Sequence, residues 1–257
     1  MVDEKSSCLY NKGFDFEFIG KGGKKKVMFK VRQLILFFFA IAAVLLLMDH
    51  GLQAGSRQSL KYNESRGEKV GTRHFYVEDN GKGVAISSSM AGSHALTRCD
   101  DFGNTRQWVV NKNKMNIRAI REGNTIQVTG RSGDKAVDKR LTVGDGLPWF
   151  QSLYYALSRF VQGEQKQVEF WMIRPDNLSL VKLRAEKESV AIIRLNGSEE
   201  RTQKVKLSAT GLLKYIWHGY YWYRKEDGVL LQYKDMKALP GRAKLTMHLT
   251  RATHARF

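Results

Sequence analysis

Hydrophobic and polar residues follow two different patterns along this chain of 257 residues. Residues 34–48 form one uninterrupted apolar run, whereas residues from 83 onward alternate between apolar and polar in short runs. Alternation with a period of two predicts β-strands that bury one face, and Gly, Asn and Asp between the runs predict turns. The predicted strands cover residues 83–90, 106–110, 115–120, 125–130, 167–175, 179–186, 189–197, 202–210, 220–236 (a hairpin) and 243–249.

Two pairs of apolar runs have the form of β-hairpins. Residues 121–124, Arg-Glu-Gly-Asn, separate one pair, and residues 225–228, Lys-Glu-Asp-Gly, interrupt another. Short turns of this kind join antiparallel neighbours. Many short antiparallel strands favour a sandwich, a barrel or a curved half-barrel, so the predicted fold class is mainly β.

Residues 144–163 depart from the strand pattern. Their apolar side chains recur at helical spacing, which predicts one α-helix. Asp145 or Gly146 can cap its start, Pro148 suits its first turn and Gly163 suits its end. A single apolar helix among strands needs a concave sheet that covers it. The predicted buried face carries Trp149, Leu153, Ala156, Leu157 and Phe160, and it is widened by Phe150, Tyr154 and Val161.

The apolar run 34–48 predicts an N-terminal hydrophobic helix that is short for a membrane span. Its fifteen residues would rise about 22 Å, against a bilayer core of about 30 Å. Basic residues precede it and Ala54 offers a cleavage site, so residues 28–54 are interpreted as a signal peptide or, if uncleaved, as a single anchor in the inner membrane. Residues 1–27 are then either an untranslated leader or a cytoplasmic tail. Both alternatives predict a domain in the periplasm or cell envelope.

The rest of the chain is predicted to form a loose polar lead-in, residues 55–82, and a half-barrel domain, residues 83–257. A hydrophobic content of 42% is enough for a core. The two cysteines, Cys8 and Cys99, lie on opposite sides of the apolar run, so export past that run would separate them. No disulfide framework is therefore expected, and the fold has to rely on its apolar core.

The formal net charge of +18 points to an anionic partner, although a well-solvated basic surface would have the same composition. From residue 55 onward, 35 Lys and Arg stand against 20 Asp and Glu, a surplus of 15. In the cell envelope, the expected partners are anionic lipid, lipopolysaccharide or an envelope protein. Nucleic acid is not expected, because the compartment is wrong and no recognition motif is present.

Two segments resemble a known group of proteins. They are residues 147–157, LPWFQSLYYAL, and residues 209–241, ATGLLKYIWHGYYWYRKEDGVLLQYKDMKALPG. Their order resembles periplasmic half-barrel proteins of unknown function that share a shape with the outer-membrane lipoprotein carriers. The resemblance covers residues 84–249. It implies a curved antiparallel sheet wrapping one central helix and a periplasmic location, and it offers no catalytic residue.

No catalytic or metal-binding motif is recognisable in the sequence. The six histidines are scattered and form no His-x-x-x-His pair, and the cysteines form no Cys-x-x-Cys pair. Cys99 stands alone. Asp100 and Asp101 are interpreted as a solvated turn, because adjacent residues in a strand point to opposite faces. We therefore expect a protein that is not an enzyme and that needs no cofactor or metal.

Aromatic and apolar side chains are the remaining candidates for a binding site. They could line a lipid cavity, with the helix as a lid, or pack as ordinary core, with the helix as a plug. Two functions follow: a non-enzymatic half-barrel module that binds a lipid or other amphiphile, and a structural or interaction protein of the periplasm with a filled core and no small ligand. The candidate ligand-lining residues are Trp149, Phe150, Leu153, Tyr154, Leu157, Phe160, Trp171, Trp217 and Trp222.

Overall fold

A computed structural model of the chain describes residues 55–211, 217–237 and 244–256. The predictions for residues 1–27 and 28–54, including the hydrophobic helix over 34–48, lie outside the described residues. Within the described ranges, no helix is long and apolar enough to cross a membrane.

The described residues form one antiparallel sheet of fourteen strands and one α-helix, α1 (Leu153–Gln162). The strands are β1 (Ser56–Arg66), β2 (Lys69–Asp79), β3 (Val84–Met90), β4 (Ser93–Cys99), β5 (Thr105–Lys112), β6 (Met115–Glu122), β7 (Thr125–Ser132), β8 (Lys135–Thr142), β9 (Gln167–Ile173), β10 (Leu180–Leu195), β11 (Ser198–Ala209), β12 (His218–Arg224), β13 (Leu230–Lys237) and β14 (Leu245–Arg256).

The sheet is curved and unclosed, and it follows the chain as a meander with one exception. Its order is β8-β7-β6-β5-β4-β3-β2-β1-β14-β13-β12-β11-β10-β9, so β1 lies beside β14, and β8 and β9 are the two edges. The helix lies in the connection between these edges. The predicted fold class, a mainly β half-barrel around one helix, is confirmed.

Alternation decides which side chains face the core. In β12, Tyr221 and Tyr223 are buried, whereas Tyr220 and Trp222, which alternate with them, are half-buried on the other face. The hydroxyl of Tyr223 donates to the backbone carbonyl of Leu153, 3.1 Å away, and so ties this strand to the start of α1. Because successive strand residues point to opposite faces, one inward set of apolar residues per strand is enough to cover the helix.

The helix is shorter than predicted, because its first part is used differently. Residues 144–152 are not helical, and α1 begins after Ser152. The Trp149 segment instead forms a parallel bridge to Trp171 of β9: the Phe150 amide donates to the Trp171 carbonyl at 2.9 Å. The capping roles predicted for Asp145 and Gly146 are therefore wrong, whereas the predicted stop at Gly163 is confirmed by its C-cap position.

The predicted loose lead-in is wrong, because residues 56–79 are two full strands at the centre of the sheet. Leu60 and Tyr62 of β1 are completely buried. The Tyr62 hydroxyl donates to the Leu230 carbonyl at 2.8 Å. The β1 strand pairs along its whole length with both β2 and β14. Its two fully buried apolar side chains are enough to anchor it, because the remaining positions are held by ladder hydrogen bonds.

Three further differences concern the strands. The runs predicted at 179–186 and 189–197 are one strand, β10, whose register shifts between Lys187 and Val190 at a β-bulge. The strands β4 and β8 were not predicted. Most of β8 is exposed, so its sequence KAVDKRLT carries little alternation.

The buried apolar residues form two clusters. The larger one surrounds α1 and includes Leu157, Phe170 and Tyr223, all of which are fully buried. The smaller one lies between β5–β8 and the segments flanking the helix, and it contains Trp149 and Ile173. Burying such side chains contributes about 1.5–3 kcal/mol each, so these clusters are the main stabilising feature of a fold without a disulfide among its described residues.

A cavity at the open end of the half-barrel

The two ends of the sheet differ. The helix packs at one end: a Cβ added at Gly103, in the β4–β5 turn, would meet Ala156, and one at Gly228, between β12 and β13, would meet Ser158. The other end, which we call the open end, collects the turns that follow β1, β3, β5, β7 and β9 and the last residues of β11 and β13. The open end is where the described residues leave a cavity.

This cavity has a volume of about 880 Å³. Its walls come from inward positions of β6, β9, β10, β11, β13 and β14 and from the residue before β12. Drug-sized ligand sites have volumes of about 300–1,000 Å³ and are mostly apolar, with a few polar groups. The open-end cavity has that character. Its apolar wall residues are Met115, Met172, Val181, Leu183, Ala209, Trp217 and Leu245.

The rim of the cavity is basic. Arg66, Lys112, Lys114 and Arg174 line it from three places, which are the end of β1, the β5–β6 turn and the β9–β10 turn. Arg174 is paired with Asp176, with Nη2 and Oδ2 2.7 Å apart. The rim therefore places a surplus of positive charge around an apolar interior, an arrangement that favours a molecule with an apolar part and a negatively charged part.

A carboxylate lies in the wall between the rim and the apolar interior. Asp235 is only 9% exposed. Its Oδ1 accepts hydrogen bonds from the Tyr233 hydroxyl and from Trp217 Nε1, the latter at 3.3 Å, and its Oδ2 accepts one from the Leu245 amide at 3.0 Å. Burial, followed by the charge of Tyr221 and the hydrogen bond to Asp235, raises the pKa of Tyr233 above its usual range, so Tyr233 stays a neutral donor.

The position of Tyr233 depends on a glycine in the neighbouring strand. A Cβ added at Gly219 would lie 2.9 Å from the Tyr233 ring, closer than side chains approach each other. The ring of Tyr221 also packs against that of Tyr233, with centroids 4.5 Å apart. Gly219 thus leaves the space in which Tyr233 can reach Asp235.

One of the nine predicted ligand-lining residues, Trp217, lines this cavity. The others have different surroundings. Trp149 is fully buried in the smaller cluster, and Phe150 packs on Phe170 with centroids 4.9 Å apart. Trp171 is half-buried, and its Nε1 donates to the Gly144 carbonyl at 3.1 Å. The helix residues Leu153, Tyr154, Leu157 and Phe160 all belong to the larger cluster or pack against it.

Trp222 lies on the outer face of the sheet. Its ring is tilted against Tyr220, with centroids 5.9 Å apart, and Lys204 Nζ lies 3.7 Å from the Tyr220 centroid and 6.0 Å from that of Trp222. Glu188 holds this lysine at 2.9 Å. Trp222 therefore takes part in an outer cation–π cluster instead of the interior.

Sequence reasoning missed most of the wall and rim. Val181, Leu183 and Tyr233 alternate like any other inward residues of a strand, and Lys112 and Lys114 look like ordinary turn lysines. The only available signal was the aromatic cluster around residue 217. What distinguishes the lining residues is their position at the same end of different strands, which appears only once the strand order is known.

Catalytic groups are not brought together around the cavity. In the parts of the chain that the structure describes, no three His, Cys, Asp or Glu side chains are grouped so that they could hold a metal ion. Cys99 is buried at the helix end, with its Sγ 3.9 Å from Thr105 Oγ1, and burial raises the pKa of its thiol to about 12. A thiol with that pKa is protonated at neutral pH and is a poor nucleophile.

Comparison with known proteins adds information about the fold. No protein-family model and no curated protein matches the sequence. Among solved structures, a beta-barrel-like protein of the domain of unknown function DUF1849 from Brucella abortus is similar with a TM-score of 0.53 and 11% identity, over 78% of this chain and 97% of that chain. Similarity at this identity shows the fold alone. The half-barrel fold expected from the sequence resemblance is thus confirmed.

Two further solved structures align with lower TM-scores. A LolA superfamily protein from Nitrosomonas europaea aligns with a TM-score of 0.25 and 7% identity, over 78% of this chain and 86% of that chain. MucB of Pseudomonas aeruginosa, solved in complex with MucA, aligns with a TM-score of 0.33 and 10% identity, over 78% of this chain and 52% of that chain. Similarity at these TM-scores carries no argument about function.

Proposed function

We propose that this protein is a non-enzymatic module of the bacterial cell envelope that holds the apolar part of a lipid or other amphiphile in the open-end cavity. The observation that carries the proposal is the cavity itself, which has a volume of about 880 Å³ and mostly apolar walls. Leaving an apolar surface of that extent in contact with water has no structural benefit and costs free energy in proportion to its area. A ligand that fills it would recover that cost.

The charge of the rim supports an amphiphile over a purely apolar ligand. An acyl chain inside the cavity would leave its headgroup at the rim, beside Arg66, Lys112 and Lys114. Lysine and arginine are the usual partners of phosphate groups. Anionic lipid and the phosphorylated part of lipopolysaccharide fit this description, and an envelope protein that delivers or receives the lipid is a further expected partner.

The proposed location rests on the sequence. The segment 28–54 has the length and order of a signal peptide, and as an uncleaved helix it would be a short anchor. Both alternatives put the half-barrel outside the inner membrane, where lipids have to cross an aqueous compartment. A module that covers an acyl chain would be useful there.

The second candidate function, an interaction protein with a filled core, is favoured by the helix end of the molecule. Leu157 of the helix is fully buried among other core residues, and Ala156 is only 1% exposed. The helix therefore has the contacts of a plug and not those of a lid. The cavity at the open end, however, exceeds the few hundred Å³ that a filled core would leave, which is why we prefer a binding module.

The proposal can be tested by blocking the cavity. Val181 is a half-buried wall residue of β10, so Val181→Trp places an indole into the cavity. Ile192, on the same strand, is 69% exposed, and Ile192→Trp is the matched control. Native mass spectrometry after gentle purification, followed by lipid extraction, should find a bound lipid in the wild type and in Ile192→Trp and a strongly reduced amount in Val181→Trp.

Two results would contradict the proposal. The first is a wild-type protein that carries no lipid from the envelope fraction and takes up none from mixed micelles. The second is equal lipid binding by Val181→Trp and the control, since this would mean that the lipid is bound elsewhere. Thermal melts of both variants check that each is folded.

A further inference from the structure

The structure describes two buried carboxylates, and they differ in the charge of their hydrogen-bond partners. Glu64, 5% exposed, lies 2.6 Å from Arg73 Nε and so has a cationic partner. Asp235, 9% exposed, has no ion pair with any residue of the described ranges; its three hydrogen-bond donors are a hydroxyl, an indole and a backbone amide, all neutral. Buried charges in proteins are normally paired, because removing an ion from water is costly.

The described residues leave one acceptor position of Asp235 without a donor. An ionised carboxylate can accept about four hydrogen bonds, and three are used here. The residue is part of the cavity wall, as are Tyr233 and Trp217, which donate to it. A donor inside the cavity could use this position.

The neighbours of Asp235 are suited to a cation. Trp217 and Tyr233 border the same part of the cavity, and Tyr221 extends the aromatic surface behind Tyr233. Faces of Trp and Tyr rings attract ammonium groups within about 6 Å, and the attraction is larger where water is excluded. A carboxylate that is held by the polar edges of two aromatic side chains in an apolar wall is a chemical environment for a primary ammonium group.

The rim provides the complementary charge. Arg66 is close enough to Tyr233 to act on its pKa, and Lys112 and Lys114 also line the mouth of the cavity. A phosphate at this rim would lie beside the carboxylate site. Positive and negative binding groups thus lie next to each other at the entrance of an apolar interior.

We propose that Asp235, Trp217 and Tyr233 form an ammonium-binding site, and that the preferred ligand is an amphiphile whose headgroup carries both a phosphate and a primary ammonium, as in phosphatidylethanolamine. The inference rests on the proposed function and specifies its ligand class. The acyl chain occupies the apolar interior, the phosphate contacts the basic rim, and the ammonium donates a hydrogen bond to Asp235.

The test is a competition between two lipids with identical acyl chains. Equal amounts of dioleoyl phosphatidylethanolamine and dioleoyl phosphatidylglycerol are offered in mild detergent to the full chain stripped of endogenous lipid, and the bound ratio is read by native mass spectrometry. The wild type should retain phosphatidylethanolamine over phosphatidylglycerol by about tenfold, which corresponds to about 1.4 kcal/mol. Asp235→Asn keeps the shape and an acceptor for Tyr233 but removes the charge, and the ratio should fall below about twofold.

Asp134→Asn is the matched control, because Asp134 is an exposed residue of the β7–β8 turn at the same end but outside the cavity; its ratio should equal that of the wild type. If Asp235→Asn does not fold, Trp217→Leu takes its place: it keeps an apolar wall, removes the ring, and should lower the ratio at least threefold.

The outcomes separate the inference from the proposed function. Retention of neither lipid overturns both. Retention of both lipids at a ratio near one, or in favour of phosphatidylglycerol, overturns the ammonium site and leaves the binding module intact. A wild-type preference that Asp235→Asn and Trp217→Leu both preserve overturns the assignment to these residues.

Discussion

Replacing Gly103 with alanine should destabilise the protein by pushing the β4–β5 turn against the helix. A Cβ added at Gly103 would lie 2.7 Å from Cα and 3.0 Å from Cβ of Ala156. These atoms belong to the middle of α1, where Leu157 is fully buried. The clash can be relieved only by moving the turn or the helix, because no flexible side-chain end is involved.

The magnitude follows from two contributions. Gly103 has φ = +86°, and the left-handed conformation costs a residue with a Cβ about 1–2 kcal/mol. Forcing an extra methyl group into a packed contact typically costs about 1–3 kcal/mol. The free energy of unfolding should therefore fall by roughly 2–5 kcal/mol.

Gly92 provides the matched control. Its φ of +67° is also left-handed, but a Cβ added there would meet nothing within 4 Å. Gly92→Ala should therefore lose only the conformational part, about 1–2 kcal/mol. Urea unfolding followed by circular dichroism and tryptophan fluorescence gives both values. If the two variants lose the same free energy within about 0.5 kcal/mol, the helix is not docked on this turn, and its description as a plug is wrong.

Three further predictions use other parts of the fold. Leu157→Ala should lower the free energy of unfolding by about 2–5 kcal/mol in urea unfolding, because it leaves a cavity under the helix; a loss below about 1 kcal/mol would contradict that packing. The Cys99 thiol should react with a thiol reagent at pH 8 only after denaturation. Burial raises the pKa of this thiol from 9.0 to about 12, so its contribution to the free energy of unfolding is complete below pH 9 and is lost as the pH rises towards 12. If the difference in stability between the wild type and Cys99→Ala stays constant from pH 9 to pH 12, the shift is refuted. Lys114→Glu should reduce capture of phosphatidylglycerol about fivefold at low salt, with exposed Lys135→Glu as a control that should change nothing.

Local signals predicted the local part of the fold. The hairpin of β6 and β7 has inward Ile117 and Ile126 with polar neighbours and a Gly-containing turn, so both strands and their turn could be predicted. In β1, by contrast, two of the three buried side chains are Tyr62 and Glu64. That strand can be recognised only from its pairing with β2 and β14. The sequence alone does not indicate that β1 pairs with β14, because the two strands lie at opposite ends of the described chain.

The helix start and the cavity were beyond sequence reasoning for a similar reason. Trp149 falls at helical spacing from Leu153, but the backbone at 148–150 is held by hydrogen bonds to Trp171, and the carbonyl of Trp149 accepts from the Thr105 amide at 2.8 Å. Tertiary hydrogen bonds here override a local preference. The cavity depends on which strand ends lie together, a property of the strand order and not of any single segment.

The pairing of β1 with β14 has a consequence for the route by which the chain folds. Every other neighbouring pair in the sheet is formed by strands consecutive in sequence, so β1–β8 and β9–β14 can each assemble from short loops. The β1–β14 ladder instead joins residues such as Lys61 and Arg251, far apart in the chain. Contacts of that range form slowly, since the entropy of closing the loop must be lost first. Until the ladder forms, β1 exposes an unpaired edge that is open to other chains. We expect the pairing of β1 with β14 to be the last and slowest step of folding. Before this step, a chain newly arrived in the envelope should be most prone to aggregate.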